Sequence, residues 1–378
     1  MHNDRPETRL ATRLAFAAAG FAMSCWAPLV PFAKQNVGVD EAGLGLLLLC
    51  LGGGSILAMP MTGWLSARIG SKPLILAGGL ALGLVLPLLM LAPSAAALAL
   101  ALLGFGAALG TMDVAMNIHA VEVERDAPVP LMSGFHAMFS IGGFLGAGGM
   151  TLLLAIGLSA VPAALCGSLV TVSAVLAAWP RLLAARGAEQ PMPLALPRGI
   201  VLLLAALAGA AFLVEGAMLD WGALLIDARD LLEPARAGLG YMVFSAAMTL
   251  GRLTGDRVVA RLGSTRVLAM GGITAALGIL CLLLSPGAML ALAGFGLVGV
   301  GASNVVPVLF SMAGRQELMP PALAIAAVTT VGYGGILLGP ALLGFIAHHF
   351  SLQLAFALLA MLMALVATLS RRVASCVR

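Results

Sequence analysis

The sequence has few charged residues for its length. Asp, Glu, Lys and Arg make up 10% of the 378 residues, whereas soluble domains contain about 25%. Hydrophobic residues make up 61%, against about 45–50% in soluble domains, and no soluble fold can bury so much apolar surface. This balance excludes an ordinary soluble domain and indicates a chain that lies largely within a lipid bilayer.

The sequence also lacks the motifs of metal sites, disulfide frameworks and nucleic-acid binding. The five cysteines form no C-x-x-C pair, so we expect neither disulfides nor a metal ion nor another cofactor. The formal net charge is +4, but the basic residues occur singly or in pairs without forming a basic face. The sequence contains no H-E-x-x-H motif, no Ser with a nearby His and Asp, and no acidic metal cluster, which argues against an enzyme.

Apolar stretches long enough to cross a bilayer recur along the whole chain. A helix needs about 20 residues to cross the hydrocarbon core. Arg5, Arg9 and Arg13 precede the first stretch as in a signal peptide, but the apolar run continues past Trp26, so we expect an uncleaved helix. We predict twelve spans, which cover approximately residues 12–33, 42–66, 73–92, 95–121, 131–155, 158–180, 199–226, 237–260, 265–285, 288–313, 321–347 and 350–370.

The basic residues predict the orientation of these spans. With the N-terminus inside, 17 of the 20 Lys and Arg residues fall in cytoplasmic segments, and Lys34, Arg229 and Arg236 fall outside. This distribution satisfies the positive-inside rule. We therefore predict a multi-pass protein of the bacterial cytoplasmic membrane with both termini in the cytoplasm. Continuous apolar runs argue against a barrel, whose strands would show about ten residues of alternating polarity.

The longest loop divides the predicted spans into two groups of six. It contains Pro191, Pro193 and Pro197, and it separates a predicted N-terminal bundle at 1–180, a cytoplasmic linker at 181–198 and a C-terminal bundle at 199–378. Short fragments recur across it at offsets of 195, 190 and 192 residues: Ala42–Gly45 and Ala237–Gly240, Gly104–Gly106 and Gly294–Gly296, and Gly142–Leu145 and Gly334–Leu337. Their common order and similar offset indicate two related halves.

A motif between the second and third spans resembles a known family. The string Gly63-Trp64-Leu65-Ser66-Ala67-Arg68-Ile69-Gly70-Ser71-Lys72 is similar to the loop signature of the major facilitator superfamily, G-x-L-x-D-R-x-G-x-[RK]. A second copy is expected between the eighth and ninth spans, where Gly251-Arg252-Leu253-Thr254-Gly255-Asp256-Arg257 runs on to Gly263. The resemblance implies an all-α membrane protein with twelve transmembrane helices in two pseudo-symmetric bundles.

In that family an acidic residue of the loop motif helps to lock the cytoplasmic side. In the first copy of the motif here, Ala67 occupies the acidic position. The resemblance implies gating roles for Gly63, Arg68, Gly70, Lys72, Arg252 and Asp256. Alternatively, Arg68 and Lys72 anchor helix ends to anionic headgroups. Arg252 and Asp256 are four residues apart, so we expect them to neutralise each other near the cytoplasmic surface.

Few ionisable residues lie inside the spans, and each is costly there. Asp113 has Asn117 one turn later on the same face, which predicts a proton or substrate site or, alternatively, a structural hydrogen bond. Glu215 lies near the middle of the seventh span, and Asp220 and Trp221 follow toward its outer end. Five residues are about 140° around a helix, so the two acids do not share a face. We predict proton coupling at Asp113 and Glu215, and substrate binding or a structural contact at Asp220.

The tenth span contains Ser303 and Asn304, which at an offset of 190 correspond to positions 113 and 114. In the family, spans one, four, seven and ten line the central cavity. The resemblance therefore implies a binding site that comprises Trp26, Asp113, Asn117, Glu215, Asp220, Trp221 and Asn304. An aromatic ring beside amides and carboxylates suits a sugar-like ligand, although Trp26 could equally be a packing residue.

The strings Ser133–Phe139, Gly142–Gly146 and Glu215–Trp221, with the Asp113 and Asn117 pair, are most similar to the fucose-permease-type branch and its uncharacterised bacterial relatives. That resemblance implies a secondary transporter that moves a sugar or similar small polar solute with protons by alternating access. The main alternative is efflux of drugs by proton antiport, which the absence of a G-P pair in the fifth span disfavours. A non-transporting scaffold or sensor and a membrane-embedded enzyme are further alternatives. The expected partners are the solute, protons and lipid, and we expect a monomer.

Overall fold

The computed structural model describes residues 5–184, 196–231 and 239–375. These residues are almost entirely α-helical, with short 3₁₀ turns at Ala27–Leu29 and Trp179–Arg181. The helices are α1 (Pro6–Trp26), α2 (Val30–Val37), α3 (Glu41–Ile69), α4 (Lys72–Leu91), α5 (Ala95–Arg125), α6 (Met132–Ala155), α7 (Ala160–Ala178), α8 (Ile200–Asp220), α9 (Gly222–Asp227), α10 (Leu239–Leu262), α11 (Ser264–Leu284), α12 (Ala288–Ala302), α13 (Val305–Arg315), α14 (Pro321–His349) and α15 (Leu352–Ser375).

These helices form the twelve predicted spans. Eleven of the spans are long and apolar enough to cross a membrane. The remaining one is the 24-residue α10, whose composition is more polar because it includes Arg252, Asp256, Arg257 and Arg261. The predicted all-α, twelve-span fold is confirmed, and the protein is a multi-pass membrane protein.

Local sequence signals mark the end of α6 and the start of α7. Gly157 has a φ of 91° after the end of α6, a value that a glycine adopts without strain. Ser159 follows in an extended conformation at the N-cap of α7. The predicted turn between the fifth and sixth spans is therefore where the sequence places it.

Three of the spans are interrupted. The first consists of α1 and α2, joined by the 3₁₀ turn at Ala27–Leu29. In the seventh, Trp221 separates α8 from the short α9. In the tenth, Ser303 and Asn304 separate α12 from α13. Broken helices inside membrane proteins are tolerated where protein covers the freed backbone groups, and Ser303 and Asn304 are both buried.

The chain divides into two compact units. The first comprises the described residues of Met1–Pro128, Phe135–Leu196 and Pro320–Thr330. The second comprises those of Val129–Gly134, Pro197–Met319 and Val331–Arg378. Most of the predicted linker, including Pro191 and Pro193, lies outside the described residues, as does Arg236.

Glycines allow neighbouring helices within each unit to approach closely. In the first unit, a Cβ at Gly106 of α5 would collide with the carbonyl oxygen of Leu51 on α3. In the second unit, a Cβ at Gly299 of α12 would collide with the carbonyl oxygen of Phe244 on α10. Small residues at such crossings bring membrane helices into van der Waals contact. The high glycine content is therefore used, at these crossings, for helix packing.

Candidate functional site

In the first unit, Asp113 and Asn117 form a polar pair on α5. The Asn117 amide donates to the Asp113 carbonyl oxygen at 2.9 Å and lies 3.5 Å from its carboxylate. Asp113 is 8% exposed and Asn117 is 1% exposed. The predicted polar patch on one helix face is therefore present. Asn117 Oδ1 is buried without a hydrogen-bond partner among the described residues, so the pair retains an unused acceptor.

Trp26 also belongs to the first unit and is the last residue of α1. Its side chain is buried, and the 3₁₀ turn follows it directly. This environment fits the packing interpretation of Trp26 as well as a binding role.

In the second unit, Glu215 of α8 forms an ion pair with Arg252 of α10. Arg252 Nη2 lies 3.3 Å from each carboxylate oxygen of Glu215. The side chains of Arg252 and Glu215 are 8% and 16% exposed. Arg252 Nε also donates to the carbonyl oxygen of Ser303 at 3.3 Å. Glu215 is thus a carboxylate partner of Arg252 that the sequence did not predict, and the neutralisation of Arg252 by Asp256 stays a prediction.

Asp256 is placed at the start of α6. Its Oδ2 accepts a hydrogen bond from the Gly134 backbone N–H at 3.0 Å. A carboxylate at a helix N-terminus satisfies an N–H group that has no partner within the helix and interacts favourably with the helix dipole. Asp256 therefore caps α6 within the second unit.

Asn304 fills a notch on α10. Its amide donates to the Gly251 carbonyl oxygen at 3.1 Å and to Ser303 Oγ at 2.9 Å. Its Oδ1 packs so closely on Gly255 that a Cβ there would overlap it. Gly251 and Gly255 thus form the notch on α10 that accommodates the break between α12 and α13. These contacts give Asn304 a structural role beside the predicted substrate-binding one.

Asp220 and Trp221 lie at the end of α8. Asp220 is exposed, whereas Trp221 Nε1 is buried without a hydrogen-bond partner among the described residues. A Cβ at Gly344 would lie 3.3 Å from the Trp221 ring. Tyr241 of α10 lies within electrostatic reach of Glu215, Arg252 and Asp220. Acidic, phenolic and guanidinium groups therefore neighbour one another in the second unit.

The loop motif has specific contacts in the first unit. Arg68 lies 3.8 Å above the Trp64 ring. Lys72 Nζ donates to the Leu182 carbonyl oxygen at 3.1 Å and lies 4.8 Å from the centre of the Trp179 ring. Lys72 thus contacts the start of the predicted linker. The interpretation of Lys72 as an anchor to lipid headgroups did not include this contact.

Equivalent contacts fix the register of α3 and α5 against α10 and α12 at 193 residues. The Leu51–Gly106 crossing corresponds to Phe244–Gly299. The contact from Thr62 Oγ1 to Thr111 Oγ1, 3.2 Å long, corresponds to Gly255–Asn304. Gly70 and Gly263 end α3 and α10 with φ values of 83° and 79°. Asn304 thus aligns with Thr111 rather than with position 114, which corrects the offset of 190.

The same register changes the comparison of the two loop motifs. Asp256 is seven residues before Gly263, and Gly63 is seven residues before Gly70. Gly63 packs against Ala326 near the start of α14, as Asp256 contacts the start of α6. The residue that aligns with Ala67 is Ala260. Asp256 therefore occupies the position of Gly63 and is not the counterpart of Ala67.

Sequence reasoning missed His119, a fully buried residue of α5. Leu183 N–H donates to His119 Nε2 at 2.9 Å, so Nδ1 carries the ring proton and donates to Thr12 Oγ1 at 3.2 Å. The Thr12 hydroxyl donates in turn to the Thr8 carbonyl oxygen. An ionisable residue within an apolar span was the available signal. His119 joins α1, α5 and the segment after α7.

The predicted binding residues divide between the two units. Trp26, Asp113 and Asn117 belong to the first, and Glu215, Asp220, Trp221 and Asn304 belong to the second. Their combination in one site stays a prediction.

Comparisons with known proteins agree with the fold and the motifs. The family model described as Major Facilitator Superfamily matches residues 14–316. An uncharacterized MFS-type transporter of Yersinia pestis is 50% identical, over 97% of this chain and 95% of its own length. An uncharacterized transporter of Sinorhizobium fredii is 36% identical, over 96% of this chain and 98% of its own.

Among solved structures, the E. coli fucose:proton symporter FucP superimposes with a TM-score of 0.74 over 99% of both chains. At 17% identity this likeness shows the fold alone. The resemblance based on the loop motif and the span count is confirmed. Because the family model and a relative that is half identical both cover most of its length, the chain belongs to the Major Facilitator Superfamily of transporters.

Proposed function

We propose that this transporter moves a small polar solute, a sugar or similar metabolite, across the bacterial cytoplasmic membrane together with protons. Asp113 carries the proposal. It is a carboxyl group in the interior of a membrane-spanning helix, 8% exposed, and its hydrogen-bond partner among the described residues is the neutral Asn117. An ionisable residue at membrane depth is costly and marks an ion or substrate pathway.

A buried carboxylate without a cationic partner is stabilised in its neutral form. Asp113 can therefore take up a proton on one side of the membrane and release it when the opposite access opens. Such a cycle couples the proton gradient to a conformational change, because each protonation state favours a different conformation. Asp113 is our first candidate for the coupling group.

Glu215 is the second coupling candidate, and its environment differs from that of Asp113. Its carboxylate is paired with Arg252, so a proton that binds Glu215 also breaks an ion pair. Protonation of Glu215 therefore changes the contact between α8 and α10. A group of this kind links proton binding directly to helix arrangement.

The solute-binding residues that we propose are Trp26, Asp113 and Asn117 in the first unit and Glu215, Asp220, Trp221 and Asn304 in the second. Asn117 Oδ1 and Trp221 Nε1 are a buried acceptor and a buried donor without partners among the described residues. A hydroxyl group can satisfy either of them, because it both donates and accepts. This complementarity supports a hydroxylated solute, and FucP, which has the same fold, is a fucose:proton symporter.

Access to the site is assigned to the cytoplasmic helix ends. Gly63, Arg68, Gly70 and Lys72 lie at the end of α3 and the start of α4, and Arg252 and Asp256 lie on α10. We propose that contacts such as that between Asp256 and Gly134 are broken and remade during alternating access.

Transport by purified protein in proteoliposomes tests the proposal. An inward proton gradient should drive accumulation of at least one of radiolabelled L-fucose, D-galactose and D-glucuronate. D113N and E215Q should abolish the gradient-driven part, while E7Q, at an exposed position, should behave like the wild type. Full gradient-driven accumulation by D113N and E215Q would reject the coupling assignment, and accumulation confined to tetraphenylphosphonium would favour drug transport.

A further inference from the structure

We propose that Arg252 is an anion subsite of this transporter. Its guanidinium binds a carboxylate group of the transported solute, which replaces the carboxylate of Glu215 when Glu215 takes up a proton. The solute is therefore a hydroxylated monocarboxylate, such as a sugar acid. This inference rests on the proposed proton-coupled transport of a polar solute and specifies its chemical class.

The geometry of the ion pair suits such an exchange. One nitrogen, Nη2, contacts both Glu215 oxygens at 3.3 Å, whereas charge-assisted N–H···O bonds are normally about 2.7–2.9 Å long. The opposite edge of the guanidinium is held independently, by the bond from Nε to the Ser303 carbonyl oxygen. Arg252 therefore stays oriented when Glu215 leaves, and the contact it gives up is a long one.

The carbonyl group that holds Arg252 is itself fixed at the break between α12 and α13. Ser303 Oγ donates to the Val300 carbonyl oxygen at 2.7 Å and accepts from the Asn304 amide at 2.9 Å. These bonds hold Ser303 within the notch at Gly251 and Gly255. The guanidinium is thus attached to a preorganised part of the second unit.

The fold does not require this ion pair. The crossings Ala17–Gly142 and Gly209–Gly335 give α1 and α8 an offset of 192 residues, so Glu215 aligns with Met23. Arg252 aligns at 193 with the fully buried Met59. The first half therefore has apolar residues at both equivalent positions. A buried ion pair gives little net stabilisation compared with well-packed apolar residues. Its presence in one half points to binding or coupling rather than to packing.

Charge balance selects the solute. When Glu215 is protonated, Arg252 loses the negative charge of this carboxylate in a buried position, which is unfavourable. A carboxylate that binds at the same time restores the balance, so one proton and one solute anion leave the charge of the site unchanged. A neutral sugar does not supply this charge, and an amine adds a second positive charge. Proton binding at Glu215 and anion binding at Arg252 therefore favour each other.

The surrounding titratable groups leave Arg252 as the anion-binding group of this cluster. Asp220 of α8 and both Tyr241 and Asp256 of α10 lie on the two helices of the pair, and Tyr333 lies on α14. None of these residues carries positive charge. The charged residues of these neighbouring helices are Arg315 at the end of α13 and Arg371 and Arg372 near the end of α15, and α12 has none. Within the described ranges, Arg252 is the one Arg or Lys classed as buried.

Chemical rescue tests the subsite without knowledge of the natural solute. In E215A, the removed carboxylate leaves Arg252 without this counter-charge and opens space for a small anion. Sodium formate should raise the melting temperature of the purified full-length E215A protein by several degrees more than sodium chloride at equal ionic strength. The wild type and the double variant E215A/R252M should show no such difference. An E215A protein that formate and chloride stabilise equally would overturn the proposal.

Matched hexoses provide a second test that does not depend on the folding of E215A. D-Glucuronate, D-glucose and D-glucosamine share one ring and differ in charge. The wild type should bind glucuronate more tightly as the pH falls toward that at which Glu215 is protonated. The isosteric E215Q should bind glucuronate about tenfold more tightly than the wild type at neutral pH, a difference of ~1.4 kcal/mol, with a weaker pH dependence.

Equal binding of glucose and glucuronate, or preference for glucosamine, would overturn the proposal. If none of the three hexoses binds, the formate experiment decides. The two proposals can also fail separately. Formate rescue without any gradient-driven transport would retain the anion subsite and reject proton coupling. Gradient-driven transport without formate rescue would retain proton coupling and reject the anion subsite.

Discussion

Arg252 Nη2 lies 3.3 Å from both carboxylate oxygens of Glu215, so that a guanidinium on α10 and a carboxylate on α8 form a buried ion pair. The two residues are 37 positions apart. The pair belongs to the second unit, and the aligned positions of the first half are the apolar Met23 and Met59. The proposed coupling chemistry and the packing of two helices thus depend on one contact.

Removal of one partner of this pair should destabilise the protein more than removal of both. R252M leaves a buried carboxylate without this cation, and E215L leaves a buried guanidinium without this anion; each should cost about 3–5 kcal/mol. The double variant E215L/R252M should cost less than the sum of the single variants. Unfolding in mixed detergent micelles measures these free energies. Additive losses in the double variant would show that the two side chains are not energetically coupled.

Gly106 should tolerate no larger side chain, because a Cβ there meets the Leu51 carbonyl oxygen on α3. G106A should force α3 and α5 apart and cost about 1–3 kcal/mol, the usual cost of overpacking. Gly104 is the matched control, since it lies on the same helix and a Cβ there has no neighbour within 4 Å. G104A should be neutral or stabilise by up to about 1 kcal/mol. The melting temperatures of both variants in detergent test the pair, and equal shifts would contradict the predicted helix crossing.

Gly255 and Asn304 should compensate for each other. G255A places a methyl group on Asn304 Oδ1 and should lower stability by about 1–3 kcal/mol. Replacement of Asn304 by Ala removes the obstacle, so G255A should be less harmful in the N304A background, with a coupling energy of about 0.5–3 kcal/mol. G296A, whose Cβ would make an ordinary 3.5 Å contact with Val243, is the control. A double-mutant cycle of unfolding free energies measures this coupling. The absence of coupling would contradict the close contact between Gly255 and Asn304.

His119 should hold the start of the predicted linker on the first unit, because its Nε2 accepts from Leu183 N–H. H119L removes this acceptor at a cost of about 1–3 kcal/mol. Trypsin should therefore cleave after the exposed Arg181 about 5- to 150-fold faster if local opening limits cleavage. H119Q can still donate and accept, and it should cleave almost like the wild type. H348Q provides a surface control. Mass spectrometry of the peptides that end at Arg181 measures the rate, and wild-type cleavage of H119L would reject the contact.

Most of the fold could be predicted from local sequence patterns. Stretches of about 20 apolar residues specify spans because the bilayer core has a fixed thickness. Glycine at a position of positive φ and an N-cap serine mark helix ends through local backbone conformation, as Gly157 and Ser159 show. The polar patch of Asp113 and Asn117 was also predictable, because residues four apart share a helix face.

The internal repeat was recognisable, but its register was not. Matched fragments have offsets of 195, 190 and 192 residues, since loops of different length and frequent Gly and Leu residues allow several alignments. Equivalent helix crossings, such as Leu51 with Gly106 and Phe244 with Gly299, specify 193. The register was therefore determined by which helix backbones approach one another in the structure.

The sequence by itself determined the number of spans, most of their ends and the family, because these depend on hydropathy, local conformation and short motifs. The tertiary structure alone decided which distant side chains meet. Arg252 pairs with Glu215, 37 residues away, and His119 binds Leu183, 64 residues away. Such contacts depend on which helices are neighbours and on how each is rotated about its axis, and neither property is specified by the pattern within a single helix.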